Sequence, residues 1–260
     1  MSRWIHALAA ATLTAASSGV LAQVAAAEVG TAADNGTDPT KLNTSASVQY
    51  EHIAEGHGET GTFKLSYALL LSEKRDYSLR FWLPVARRSG QGVQGEFGVG
   101  NVSVQLTHVF GLSRTQGFVA QGEVEFDRAV LSGSGIERTV LKGSMIYARF
   151  LAGGDLFAPA VVHSQRVGGG DARDDLSRTV FDFYYVPKLA DTKTFVTVDP
   201  ALNSDWKSDK HYASLAVTVG RVLGPALGGN AQVSIKPSVF AGGQRPANWG
   251  LEAGFKVIGF

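Results

Sequence analysis

The stretch from Phe118 to Asp127 constrains this chain most, because Phe118, Ala120, Gly122, Val124 and Phe126 alternate with Gln121, Glu123, Glu125 and Asp127. A period of two residues is that of a β-strand, whose successive side chains point to opposite faces. One face here is apolar or small and the other is acidic, so the strand needs two unlike surroundings. The same pattern recurs in blocks near the 9 to 11 residues of a tilted strand that crosses a bilayer. The blocks are residues 47–54, 62–71, 77–87, 98–110, 118–127, 139–151, 156–167, 178–188, 194–205, 212–222, 231–241 and 249–260. The expected fold is therefore all-β: an antiparallel transmembrane β-barrel of about 12 strands.

Most blocks can be oriented from their own residues. Val48 and Tyr50 oppose Ser47, Gln49 and Glu51; Phe63, Leu65, Tyr67 and Leu69 oppose Lys64 and Ser66; Tyr77, Leu79, Phe81 and Leu83 oppose Ser78 and Arg80. Val104, Leu106 and Phe110 oppose Ser103, Gln105 and Thr107, and further on Asp182, Tyr184, Thr197, Asp199 and Asn203 fall on the polar side. Residues 139–151 and 156–167 are apolar on both faces over part of their length. Their orientation stays open, and a subunit contact is one use for two doubly apolar strands. Short connections (72–76, 152–155, 190–193) take turns with longer polar ones (88–96, 128–138, 168–177), as in a barrel with short periplasmic turns and long outer loops. A soluble sandwich also alternates. The polar faces here, rich in Ser, Thr, Gln and Gly with charges of both signs, suit a wet lumen better.

The amino end points to export. Residues 1–22 carry Arg3 and His6, then the apolar run Ala7 to Ala16, then a small-residue exit, which reads as a secretory signal peptide cleaved after Ala22 or after Ala27. Residues 28–43 read as a flexible periplasmic lead-in, and 44–260 as the barrel. The chain has no cysteine and a net charge of +1, so no structural metal, cofactor or nucleic-acid partner is expected. The expected surroundings are the bacterial outer membrane, its lipid and lipopolysaccharide.

The closing run Trp249 to Phe260 resembles the C-terminal strand of bacterial outer-membrane barrels, whose last residue is typically Phe. Counted back from Phe260, its apolar positions would include Lys256 and Glu252, so a bulge near Ile258 and Gly259 is expected to restore the phase. Phe181-Asp-Phe-Tyr-Tyr-Val-Pro-Lys-Leu-Ala190, Gly220-Arg-Val-Leu-Gly-Pro225 and Arg245-Pro-Ala-Asn-Trp-Gly-Leu-Glu-Ala-Gly-Phe-Lys256 resemble a transporter-like family of outer-membrane barrels grouped with the putative MetA-pathway proteins of phenol degradation. That resemblance, over about 47–260, implies location and architecture and assigns no functional residue.

On a membrane strand Glu123, Glu125 and Asp127 must face the lumen, spaced about 6.5 to 7 Å apart. They form either a negative stripe that selects cations or one half of a set of ion pairs with Lys64, Arg80, Lys142, Lys236 and Lys256 from other strands. Glu252, on the polar side of the closing strand, belongs with them as a lumen selectivity residue. The expected role is passive passage of an unidentified small molecule. The alternative is a closed barrel acting as a lipid-modifying enzyme, in which His108 or His163 would serve, or as a structural or adhesive surface protein. Gly90-Gln-Gly92-Val-Gln-Gly95 matches a dinucleotide fingerprint by letter, but without a strand-to-helix context it reads as loop. Asp171, Asp174 and Asp175 read as a solvated acidic loop, with Ca²⁺ binding or divalent bridging to lipopolysaccharide as the alternative. Trp206, Trp249, Tyr50 and Tyr77 read as aromatic girdle residues, while the parity of Trp82 turns it inward.

Overall fold

The computed structural model describes residues 35–55, 58–90, 93–126, 139–168 and 175–260. Residues 1–22, read as a signal peptide, and Asp127, Asp171 and Asp174 lie outside them. Among the described residues there is no helix, and the strands run β1 (Ser45–Glu55), β2 (Gly58–Leu70), β3 (Tyr77–Gly90), β4 (Val93–Val99), β5 (Ser103–Phe110), β6 (Gln116–Glu125), β7 (Thr139–Phe150), β8 (Leu156–Gly168), β9 (Ser177–Val186), β10 (Thr194–Asp205), β11 (Lys210–Ala226), β12 (Gly229–Ala241) and β13 (Trp249–Ile258). β4 and β5 both pair with β3 and form two pieces of one barrel strand, so the 13 segments make a closed antiparallel barrel of 12 strands. Closure comes at β1, which pairs with both β2 and β13, and at β3, which pairs with both β2 and β5. A closed sheet leaves no edge, which is what a lipid-facing backbone requires.

The oriented strands keep the faces expected of them. Tyr50, Phe63, Leu65, Tyr67, Phe81, Leu106, Leu215 and Ile235 are exposed on the outside, while Arg80, Gln105, Glu123, Asp182 and Asp199 are buried within. Aromatic rings gather outside towards the end that carries the chain termini. There the ring of Tyr77 stacks on His108 at 4.1 Å, His108 on Phe110, Phe110 on Phe118, and Phe118 meets Tyr147. Towards the other end Tyr50 meets Phe63, His52 meets Trp249 and Trp206 meets His211.

Four expectations need correction. Most of the connection read as 88–96 is strand, because β3 runs to Gly90 and β4 starts at Val93, paired as a ladder with a register shift between Arg88 and Gly90. The described residues of the glycine fingerprint, Gly90 and 93–95, thus lie in β3 and β4, and no helix follows. Loop lengths also do not alternate cleanly, since the turn at Trp206–Asp209 is short and lies at the end opposite the termini.

The third correction concerns the closing strand. β13 pairs without a break to Ile258 on both sides, so the phase change is not a bulge within the ladder. It comes one residue later, at Gly259, whose φ of 76° is left-handed and suits glycine. Gly259 N–H still donates to Thr44 O at 2.8 Å, and the kink turns Phe260 out onto Tyr67, with ring centroids 6.3 Å apart.

The fourth concerns the lead-in. Residues 35–43 are not loose: Pro39, Thr40, Leu42 and Asn43 are buried. Asp38 Oδ1 accepts from both the backbone N–H and the hydroxyl of Thr40 at 2.8 Å, a local turn that fixes the segment. Tyr184 OH donates to Thr37 O at 3.0 Å from the barrel wall. Leu42, at 0% exposure, packs in a cluster with Val109, Val119, Ile146, Ala148, Leu156, Ala158, Ala160, Tyr184 and Val186. Gly117 permits the approach, since a Cβ there would stand 3.0 Å from Thr40 Cγ2. This packing explains the doubly apolar strands, because the inner faces of β7 and β8 are apolar where they receive the amino-terminal segment.

Candidate functional site: the inner wall

Side by side on β6, β7 and β5, three strands build the acidic side of the wall. Registers Glu123↔Lys142, Gln105↔Glu123 and Ser103↔Glu125 bring their polar residues together. Lys142 Nζ lies 3.0 Å from Glu123 Oε1 and 2.8 Å from Glu125 Oε2. Gln105 Nε2 donates to Glu123 Oε2 at 3.4 Å, and Asn101 Nδ2 to Glu125 Oε1 at 3.2 Å. Arg80 projects its charge towards Glu123 and lies 5.6 Å from the ring centroid of Trp82, which faces inward as its parity requires. The stripe is thus clamped by a cation. Asp127 lies outside the described residues.

A second ion group spans the closure of the barrel. Lys64 Nζ bridges Glu51 Oε2 at 2.9 Å and Glu252 Oε2 at 3.2 Å, and Gln49 Nε2 donates to Glu252 Oε1 at 3.3 Å. Strands β2, β1 and β13 meet here, so the pairing ties the last strand to the first two. Lys236 stands opposite Glu252 across β12 and β13, and Lys256 is half-buried opposite Gln232 and Ser47. Glu51 was legible as an inward residue, yet its pairing with Lys64 required the β1–β2 register.

A third group was not singled out from the sequence. Asp182 on β9 and Asp199 on β10 are 4% and 6% exposed, and their carboxyl groups stand within hydrogen-bond reach of one another. Register Ala201↔Asp182 puts Asp199 on the diagonal, where long or charged cross-strand side chains meet. Both residues fall on the expected polar face. The missing signal was strand register, which a hairpin turn as long as 187–193 does not fix.

His108 and His163, the residues of the enzymatic alternative, lie on β5 and β8. His108 is sandwiched between Tyr77 and Phe110 on the outer surface. His163 Nδ1 lies 3.0 Å from Thr179 Oγ1, and that hydroxyl oxygen accepts from Trp206 Nε1 at 2.9 Å. At the far rim Lys207 Nζ pairs with Asp175 Oδ2 at 2.9 Å, and this contact holds the Asp175 carboxyl below the usual carboxylate range.

No protein-family model matches the chain, and no curated protein matches it either. Solved structures do share its fold. The COG4313 outer membrane channel from Pseudomonas putida F1 aligns over 83% of this chain and 95% of its own at 13% identity, with a TM-score of 0.64. A KdgM porin aligns over 81% of this chain and 98% of its own at 6% identity, with a TM-score of 0.54. The fold is that of outer-membrane β-barrels.

Proposed function

We propose that the chain is a channel of the bacterial outer membrane for passive passage of small molecules, set in lipid and lipopolysaccharide and belonging with the transporter-like MetA-pathway group it resembles. The observation that carries this reading is the division of faces: ionised side chains of both signs lie inside a closed barrel whose outer face is ringed by Phe, Leu, Val and Tyr. A polar lining in an apolar shell is what a water-filled path through a membrane needs, and likeness of fold to channels and porins accords with it. Selectivity then follows from the wall charges, with Lys64, Arg80, Lys142, Lys236 and Lys256 interleaved among Glu51, Glu123, Glu125, Asp182, Asp199 and Glu252.

Packed against the inner wall at one end, residues 35–43 narrow that path. Single-channel current from the purified mature protein in a planar bilayer under a salt gradient tests the proposal. Discrete steps are expected, with larger steps once residues 35–43 are removed. Silence from both proteins, each shown to be inserted, would overturn it.

A further inference from the structure

We propose that the ions of this channel follow the wall where the sheet closes, β12, β13, β1 and β2, and that Lys256 makes their passage selective for small anions. The proposal rests on the channel reading and adds which wall the ions follow and which sign they carry.

In a closed barrel an inward side chain meets solvent only through space inside the barrel, so the exposure of inward residues maps that space. On the far wall, inward Ser103, Gln105, Thr107, Glu123, Ser164 and Thr197 of β5, β6, β8 and β10 are 1–6% exposed. On the closure wall, inward Ser47, Gln49, Ser66, Ser234, Ser238 and Gly254 are all half-buried. Hydroxyl side chains occur on both walls, so residue type does not explain the difference. Leu42 of the amino-terminal segment packs against β5–β9, which leaves the space of the lumen beside the closure wall.

The charges divide in the same way. Glu123 and Glu125 are buried and hold Lys142, so they act weakly on an ion that travels by the other wall. The closure wall presents half-buried Lys64, Lys236 and Lys256 against Glu51 and Glu252, three cations to two anions. Lys64 bridges both glutamates. Lys236 stands opposite Glu252, and its field also reaches Asp182. Lys256 lies about 13 Å nearer the termini, four residues along the strand, where its ladder neighbours Ser47 and Gln232 are neutral. A hydrogen bond to such a neighbour leaves the ammonium charge in place. The hydroxyls of Ser47 and Ser66, 2.7 Å apart, lie on the same rung. An ammonium group among hydroxyls favours a passing anion and repels a cation.

The chain has no cysteine, so single introduced thiols report on each wall. Ser47→Cys on the closure wall, Ser164→Cys on the far wall and Ala152→Cys in the exposed β7–β8 turn are compared in the full barrel in detergent, with folding checked by heat-modifiable gel migration. Each is treated with an anionic methanethiosulfonate, the sulfonatoethyl reagent, and a cationic one, the trimethylammonioethyl reagent. Ser47→Cys should react at least about tenfold faster than Ser164→Cys, because thiol reaction follows access. Its anionic-to-cationic rate ratio should exceed that of Ala152→Cys by at least about threefold. The excess should fall in Ser47→Cys/Lys256→Gln and persist in Ser47→Cys/Lys256→Arg. Comparable rates at Ser47→Cys and Ser164→Cys, or a ratio at Ser47→Cys no higher than at Ala152→Cys, would overturn the proposal even if Lys256→Gln failed to fold. A ratio unmoved by folded Lys256→Gln would overturn it too. Labelling needs no current, so silence of the inserted wild type in a bilayer would overturn the channel reading, whereas these rates decide the wall.

Discussion

Two pairs of carboxylates line the same barrel and have been given opposite surroundings. Glu123 and Glu125 share one strand, with Lys142 between them at 3.0 and 2.8 Å and amides of Gln105 and Asn101 on their remaining oxygens. Asp182 and Asp199 sit on neighbouring strands, face each other, and keep an oxygen apiece without a donor. The first pair is compensated by its own chain and serves the wall. The second forms no ion pair among the described residues, so nothing clamps it as Lys142 clamps the first. The difference teaches that an acidic stripe read from sequence marks where charge lies; only register says whether that charge is already spent.

The largest effect should come from breaking the clamp. Lys142→Met removes the cation that bridges two buried carboxylates, and losing one partner of a buried ion pair costs roughly 3–5 kcal/mol. Urea unfolding of the barrel, followed by gel migration, should therefore show a clear fall in midpoint for Lys142→Met. Asp182→Asn, which removes charge from the open pair, should leave the midpoint unchanged or raise it. Equal falls in the two variants would erase the distinction.

A smaller effect concerns current. Glu123→Gln with Glu125→Gln leaves Lys142 uncompensated and turns that patch positive, so cation preference should fall and the reversal potential under a salt gradient should move towards anions. The clamp makes the expected shift modest, since the wild-type stripe already carries Lys142. An unchanged reversal potential would mean that ions pass elsewhere.

Much of this barrel could be read directly from residue patterning. Phe63, Leu65 and Tyr67 against Lys64 and Ser66 show the two faces of β2 without any structure, because the strand period is two and lipid tolerates no mid-depth charge. Arg80 and Trp82 were legible as inward for the same reason. β7 and β8 were not, since Ile146, Ala148, Ala158 and Ala160 face Leu42 of a segment far away in sequence, and alternation cannot see a third layer inside the barrel. The ion groups were half legible: the acids and bases were named, but the partners of Glu51 and Glu252 depend on closure of the first strand against the last.

The smallest effect is at the rim and supplies a third kind of carboxylate, one compensated by neutral donors in water. Asp155 accepts from Lys188 N–H at 2.9 Å and from the Tyr185 hydroxyl at 2.7 Å, pinning the β7–β8 turn to the end of β9. These donors, the backbone N–H first, hold its carboxyl below the usual carboxylate range. A folded-state value below the unfolded one means that the contribution is complete above the ordinary carboxylate range and is lost as pH falls through the folded value. Wild type should thus lose turn protection, read by hydrogen exchange at Lys188, on acidification below the ordinary carboxylate range. Asp155→Asn should start with weaker protection and show little further loss. If acid left the wild-type amide as protected as at neutral pH, neutral donors would not be holding this carboxylate, and the distinction between charge-clamped and donor-clamped groups would fail at its simplest case.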